Sequence, residues 1–413
     1  MASTQFPIPI SIGKRLDGID LLRGLSIFSV LMNHINIRLL NAKVLYTKFL
    51  PTQLVHILVW NAQLGVQMFF VVSGFLITSI TIRRWGSLSN VSLRDFYFFR
   101  FARIGPLLLL LLTVLCGLHF SNAHNYVVTA KTGGLGRALL AVLTFHVNVL
   151  EIHRGYLPGN WDVLWSLSVE EMFYLFFPVV CLLFAGNGRF GRGKLFIAVL
   201  LTFVVLGPFG RTVFAHGSEI AQEYSYLGGM EGIALGCFTA LVVSRKRFSR
   251  PALYVLGIGG ATIVAASLIL SWQAYRDWLG RTGLNFTILG VGTSMFIAAS
   301  AQTQWRSPRV LTPLLRIGQY SYEVYLTHMF VVFSFFGLFL DARKPMRLVP
   351  VLFTATVLIA GLLGAALARF FSEPMNRIIR SKSTSTGRKL ASVQLPYDSG
   401  GIQDVTVAPS NSR

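Results

Sequence analysis

Charged residues are scarce in this sequence of 413 residues. They make up 13% of the chain, whereas a soluble globular domain averages about 25%. Hydrophobic residues make up 53%, and the mean hydropathy is +0.60. Because the apolar residues are gathered in long runs, the composition excludes one large soluble domain and predicts an all-α polytopic membrane protein.

Cysteine is also rare, and the three cysteines, Cys116, Cys181 and Cys237, lack the CxxC spacing of redox and metal motifs. They lie in apolar segments, so we expect them to pack between helices. No His, Asp or Glu cluster has metal-ligand spacing either, which predicts no metal. The N-terminus has no apolar run before Lys14 and Arg15, so we expect the first apolar helix, not a cleavable signal, to direct insertion.

Basic residues outnumber acidic ones, with 37 Lys and Arg against 16 Asp and Glu. A net charge of +21 could indicate nucleic-acid binding. The basic residues, however, form short clusters between apolar runs, where they orient membrane helices. The sequence therefore predicts a lipid bilayer as partner and no nucleic acid.

Apolar stretches near the length of about 20 residues that a spanning helix needs predict about ten transmembrane helices. They are 19–40, 58–82, 103–121, 165–185, 195–210, 226–243, 252–272, 283–301, 316–340 and 348–371. The segment 138–150 is too short to span the bilayer comfortably. We interpret it as re-entrant or interfacial, within a loop of about 122–164.

With ten spans, most basic clusters fall on one side of the membrane, the side that holds both termini. The positive-inside rule then places both termini in the cytoplasm. An eleventh span at 138–150 would move the clusters at 186–194 and 244–250 to the outside. The predicted domains are a cytoplasmic N-terminus at 1–18, a transmembrane domain at 19–376, and a polar, disordered cytoplasmic tail at 377–413.

The first span carries two polar residues, Arg23 and His34, eleven positions apart. A helix brings both to one face, about 16 Å apart along its axis. Arg23 then lies near the inner boundary, where it could snorkel, and His34 lies in the outer half. Each has both a structural and a functional interpretation.

Other spans place ionisable or polar residues near the depth of His34, and intramembrane ionisable residues normally face a protein interior or a water-filled cavity. These residues are Ser73, Glu170, Glu171, Glu231 and His328. They predict a polar site in the outer half. At the inner end, Arg100 and Arg103 are either membrane anchors or ligands for phosphate, whose oxygens match the guanidinium fork.

An ordered set of motifs, covering about residues 15–376, resembles the membrane-bound acyltransferase-3 family. The motifs are "DLLRGLSIFSVLMNH", with its Arg-x10-His, "GVQMFFVVSGFLIT", "RFARIGP", "WSLSVEEMFYLFFP", "SYEVYLTH" and "SEPM". Glu231 departs from the family, since many relatives carry aspartate there. Some relatives also carry an appended SGNH-type hydrolase-like domain, for which we find no room. Acceptor handling is then expected from the membrane domain or a separate partner.

The resemblance implies an enzyme that transfers an acyl group, usually acetyl from acetyl-CoA, to a hydroxyl of an acceptor such as a cell-envelope or exported glycan. It implies a catalytic role for His34 and donor binding by Arg23, Arg100 and Arg103. We expect Glu170 to orient the imidazole or the sugar. Ser73 either donates to the oxyanion or packs closely against the first helix. Roles in acceptor binding or in structure are open for Glu171, Glu231, Tyr325 and His328.

The expected location is the plasma membrane, as a multi-pass protein of the bacterial inner membrane. The alternative function is a transporter or export subunit for a glycan or small molecule, in which the Glu and His cluster would relay protons or bind substrate. That alternative explains intramembrane charge equally well, but the sequence shows no clear inverted repeat. The acceptor and the oligomeric state stay open.

Overall fold

The structure is a computed structural model that describes residues 15–185, 192–271, 273 and 278–384. Within these ranges the chain forms helices joined by turns and contains no β-strand. The predicted all-α class is therefore confirmed.

The α-helices of the described residues are numbered in chain order, and short 3₁₀ turns separate several of them. They are α1 Asp17–Asn41, α2 Thr52–Val59, α3 Ala62–Trp85, α4 Leu93–Phe120, α5 Gly134–Leu143, α6 Val147–Arg154, α7 Gly159–Asp162, α8 Leu164–Phe184, α9 Arg192–Arg211, α10 Glu219–Tyr224, α11 Tyr226–Arg245, α12 Arg250–Ile269, α13 Trp278–Thr282, α14 Leu284–Thr303, α15 Thr312–Gln319, α16 Ser321–Asp341, α17 Val349–Leu367 and α18 Glu373–Thr384. A π-helical turn, Ala368–Ser372, joins the last two.

Serine side chains begin several of these helices. Ser92 accepts a hydrogen bond from the backbone N–H of Asp95 at the start of α4. Ser249 does the same for Ala252 at the start of α12. Each satisfies a backbone donor that the first turn of a helix leaves without a helical partner.

Nine helical segments of the described chain are long and apolar enough to cross a membrane, which makes this a multi-pass membrane protein. They correspond to the second through tenth predicted spans. The first predicted span, α1, is 25 residues long and so about 37 Å in length, but polar side chains interrupt its apolar run. Sixteen of its residues are buried, which places α1 inside the helix bundle.

α1 packs closely against α15 because glycines on both helices leave room for the facing backbone. A Cβ at Gly318 of α15 would lie 1.9 Å from the carbonyl oxygen of Asp20, and one at Gly24 would lie 2.1 Å from that of Leu314. The two backbones therefore touch, as they do where small residues line a membrane helix interface.

The segment predicted to be re-entrant or interfacial forms two short helices, α5 and α6, instead of one span. They have 10 and 8 residues, about 15 and 12 Å, against a hydrocarbon core of about 30 Å. The prediction that this segment does not span the membrane is confirmed. The buried face of α6, with Asn148 and Glu151, packs against α8 and α10.

The two ends of the bundle differ in character. The first, called the basic end, holds Arg83, Arg94, Arg245, Arg250 and Arg306, together with the start of α1 and of α16. The second, called the loop end, holds the long connections 42–51 and 121–163. Arg23 lies toward the basic end and His34 toward the loop end. The cytoplasmic location of the termini stays a prediction.

The predicted domain boundaries fall partly outside the described residues. Positions 1–14 of the predicted N-terminus and 385–413 of the predicted tail lie there. The predicted tail begins at 377, which lies within α18, so helix continues to Thr384.

Candidate active site

Arg100 of α4 contacts two carboxylates of α8. Its Nη2 lies 2.5 Å from Oε1 of Glu171 and 3.2 Å from Oε1 of Glu170, and its Nε donates to Glu171 at 2.9 Å. Its guanidinium also lies 3.8 Å from the ring centre of Tyr174. Because two carboxylates already engage this guanidinium, the predicted donor-binding Arg100 belongs to an ion-pair cluster in this structure.

Ser73 of α3 belongs to the same cluster. Its hydroxyl donates to Glu170, and the Tyr174 hydroxyl lies 2.7 Å from Ser73 Oγ and 2.9 Å from Glu170 Oε1. A Cβ at the neighbouring Gly74 would lie 1.9 Å from the carbonyl oxygen of Ile233. The close approach at this position is therefore to α11, and the Ser73 side chain contacts α8 instead of α1.

His34 lies beside a second histidine, His328 of α16, with ring centroids 5.1 Å apart and an interplanar angle of 43°. His328 is buried, and its Nδ1 lies 2.7 Å from the carbonyl oxygen of Tyr325. A carbonyl can only accept, so Nδ1 carries the proton and Nε2 holds the lone pair of the neutral ring. That Nε2 has no hydrogen-bond partner among the described residues.

Tyr325 connects this histidine pair to the start of α8. Its hydroxyl donates to the carbonyl oxygen of Val163 at 2.8 Å and lies 2.6 Å from Ser166 Oγ. Its ring centroid is 5.7 Å from that of His328. The predicted residues Tyr325 and His328 are therefore brought together with His34.

A small cavity of about 40 Å³ lies beside the Glu170 cluster, among α1, α3, α8 and α16. Its lining includes Ser26 and Val30 of α1, Ser166 and Glu170 of α8, and Tyr322 and Tyr325 of α16. Ser26 and Val30 follow Arg23 by three and seven positions, so the cavity lies along the helix face that joins Arg23 to His34.

Arg23 and Arg103 both reach the first turn of α16, nearer the basic end. The buried Arg23 donates from Nε to Ser321 Oγ at 3.0 Å. Nη1 of Arg103 lies 3.5 Å from Oε1 of Glu323. Two of the three predicted donor-binding arginines thus converge on one side of the cavity.

The profile of the acyltransferase 3 family, described as an acyltransferase domain, matches residues 16–369 of the chain. This chain belongs to the acyltransferase 3 family. The match runs from the start of α1 into the π-helical turn after α17, and it includes every predicted site residue.

Two curated relatives illustrate this membership. The O-acetyltransferase OatA of Staphylococcus aureus is 24% identical over 377 residues, which is 88% of this chain and 58% of the relative. The peptidoglycan O-acetyltransferase OatA of Listeria monocytogenes is 27% identical over 329 residues, 76% of this chain and 49% of the relative. This acyltransferase 3 chain therefore spans just over half the length of the first of these relatives. No solved structure matches it.

Glu231 lies apart from the other predicted residues of this acyltransferase 3 protein. It is fully buried and pairs with Arg211, and Thr287 donates to its other oxygen. The Arg211 side chain also donates to the carbonyl oxygen of Gly228 and lies 4.6 Å from the ring centre of Phe286. This ion pair links α9, α11 and α14, so the structural interpretation of Glu231 fits best.

Sequence reasoning missed several polar residues that the structure places around the site. Tyr174 follows Glu170 by four positions and Arg38 follows His34 by four, a spacing that puts each pair on one helix face. A basic partner such as Arg211 could also have been expected from the sequence, because a buried acid such as Glu231 needs one. Among the described residues, no group of three or more His, Cys, Asp or Glu is placed to hold a metal ion, and the absence of a metal stays a prediction.

Proposed function

We propose that this protein transfers an acetyl group from acetyl-CoA to a sugar hydroxyl of peptidoglycan at the plasma membrane. The single observation that carries the proposal is the cavity along α1, with Arg23 toward one end and the histidine pair toward the other. Membership of the acyltransferase 3 family supports the reaction class. The name of the Listeria relative supports the choice of acceptor.

The donor would enter from the basic end, where Arg23 and Arg103 offer guanidinium groups to the phosphates of acetyl-CoA. These two are better placed for that role than Arg100, which two carboxylates hold. The pantetheine arm would follow α1 toward His34, a distance of about 16 Å. Since the cavity is only about 40 Å³, donor binding requires that side chains such as Tyr322 and Tyr325 move apart.

His34 would act as the general base. It takes the proton from the acceptor hydroxyl while that oxygen attacks the carbonyl carbon of the thioester. The carbon–sulfur bond then breaks, and the departing sulfur receives the proton from His34. The products are a sugar O-acetyl ester and free CoA.

His328 would position His34 in this reaction, in place of the glutamate expected from the sequence. Glu170 is engaged by Arg100, Ser73 and Tyr174, whereas the His328 ring packs directly beside the His34 ring. The hydroxyl of Ser166 lines the cavity and is the candidate to donate to the oxyanion.

The test uses the purified full chain in lipid nanodiscs, radiolabelled acetyl-CoA and isolated peptidoglycan. We expect His34→Ala to lower acetyl transfer at least about 100-fold, the usual contribution of a general base. His124→Ala, an exposed histidine, is the matched control and should retain full activity. Transfer at the wild-type rate by His34→Ala would contradict the proposal. Glycan export that consumes no acetyl-CoA would support the transporter instead.

A further inference from the structure

A second polar cluster lies at the loop end, one helical turn beyond His34. Its cation is Arg38 of α1, whose guanidinium lies 4.9 Å from the ring centre of Phe333. A Cβ at Gly159 of α7 would lie 3.4 Å from Nη2 of Arg38 and 2.6 Å from the methyl carbon of Met329, which follows His328. Arg38 therefore points at α7, next to the helix segment that holds His328.

Two carboxyl groups belong to this cluster, and one of them interacts with Arg38. Asp162, at the end of α7, accepts a hydrogen bond from the Tyr224 hydroxyl at 2.8 Å and interacts electrostatically with Arg38. Glu151 of α6 is fully buried, and its Oε1 accepts from the backbone N–H of Leu157 at 2.9 Å.

The carboxyl groups of Glu151 and Asp162 lie within hydrogen-bonding reach of each other, and Oε2 of Glu151 has no other partner among the described residues. Two carboxyls can share a hydrogen bond only when one of them holds a proton. Burial, and after it the charge of Asp162, raises the pKa of Glu151 well above its ordinary value. Glu151 is therefore the carboxyl group that favours the protonated form.

Several buried polar atoms of this region lack a hydrogen-bond partner among the described residues. They are Nε of Arg38, both amide atoms of Asn160 and Nε1 of Trp161. Asn160 and Trp161 are fully buried. Buried polar groups in native proteins are nearly always paired, so this concentration on α1 and α7 points to a polar ligand.

The chemistry of the cluster fits a sugar. A carboxylate accepts hydrogen bonds from hydroxyl groups, a protonated carboxyl and a guanidinium donate to sugar oxygens, and an aromatic ring covers an apolar sugar face. The aromatic ring is that of Tyr156, which is 53% exposed and packs edge-on against Tyr224 with centroids 5.9 Å apart.

We propose that Arg38, Asp162, Glu151 and Tyr156 form the subsite that binds the acceptor sugar and presents its hydroxyl to His34. This inference rests on the proposed function, since it assigns the acceptor side of the same site. The ligand class is a β-1,4-linked chain of N-acetylated amino sugars. Arg38 and His34 are one turn apart, about 6 Å along the axis of α1, so a sugar held by Arg38 lies within reach of His34.

The test measures direct binding of chitotetraose, a β-1,4-linked tetramer of N-acetylglucosamine, to the full chain in nanodiscs by calorimetry. We expect Asp162→Asn to weaken binding about tenfold or more, the loss of one charge-assisted hydrogen bond. Tyr156→Ala should weaken it as well, and this exposed position carries little risk for folding. Glu219→Gln, an exposed acid of α10, is the control and should bind as the wild type does.

No binding by the wild type, or equal binding by the wild type, Asp162→Asn and Tyr156→Ala, overturns the subsite. Binding of chitotetraose without any acetyl transfer contradicts the proposed function alone. Acetylation of the tetramer with the same KM in the wild type and both variants contradicts the subsite alone.

Discussion

The rings of His34 and His328 lie 5.1 Å apart, although one belongs to the first helix of the bundle and the other to α16. The Tyr325 carbonyl holds the proton of His328 on Nδ1. Two imidazolium charges at this separation would repel each other. If His34 is the general base that we propose, it can take up a proton only while His328 is neutral.

His328→Asn tests this positioning role. We expect kcat to fall about 10- to 100-fold, as for a residue that orients a functional histidine, with unchanged KM for acetyl-CoA and acceptor. The pH–rate profile should shift as well, because the neighbour of the base has changed. A variant that loses only thermal stability, and keeps both kcat and the pH profile, would make His328 a packing residue.

Arg100→Gln tests the ion-pair cluster. Removal of the guanidinium leaves the half-buried Glu170 and the buried Glu171 without their cation, so we expect the free energy of unfolding to fall by about 3 kcal/mol. Thermal unfolding in nanodiscs measures the loss, and Arg100→Gln combined with Glu171→Gln should recover part of it. Unchanged stability together with a raised KM for acetyl-CoA would show instead that Arg100 binds the donor, as the sequence predicts.

Arg103→Gln tests the donor end. Loss of one phosphate-binding guanidinium should raise the KM for acetyl-CoA about tenfold and leave kcat nearly unchanged. Arg94→Gln removes an exposed arginine from the same end of the bundle and serves as the control. Equal KM values for the two variants would show that Arg103 does not contact the donor.

Glu151 makes stability depend on pH. Its pKa is raised in the folded protein, so the folded state holds a proton that the unfolded chain releases above its ordinary pKa of 4.5. Stability from this group is therefore present at low pH and is lost as pH rises from about 4.5 through the raised value. Glu151→Gln should remove this dependence of stability on pH. The Tm of the variant minus the Tm of the wild type should therefore rise between roughly pH 5 and pH 8. A constant Tm difference across that range would mean that Glu151 is already ionised.

The helices could be predicted closely because hydrocarbon thickness demands runs of about 20 apolar residues. The predicted span 283–301 became Leu284–Thr303, and 252–272 became Arg250–Ile269. The span 58–82 was less accurate, since α2 ends at Val59 and α3 begins at Ala62. The break falls at Trp60 and Asn61, where Asn61 donates hydrogen bonds to the carbonyl oxygens of Ile57 and Leu268.

The placement of Arg23 and His34 on one face could likewise be read from spacing, because a helix repeats every 3.6 residues. The partners across helices could not, since no local rule relates α1 to α16 or α4 to α8. The packing of the bundle placed His328 beside His34 and paired Glu170 with Arg100. It also paired Glu231 with Arg211, away from the other predicted residues. Sequence thus set which polar residues lie on the long apolar helices and how far apart they stand along each helix axis. The fold chose their partners, because a buried polar group must be satisfied by whatever helix packs beside it.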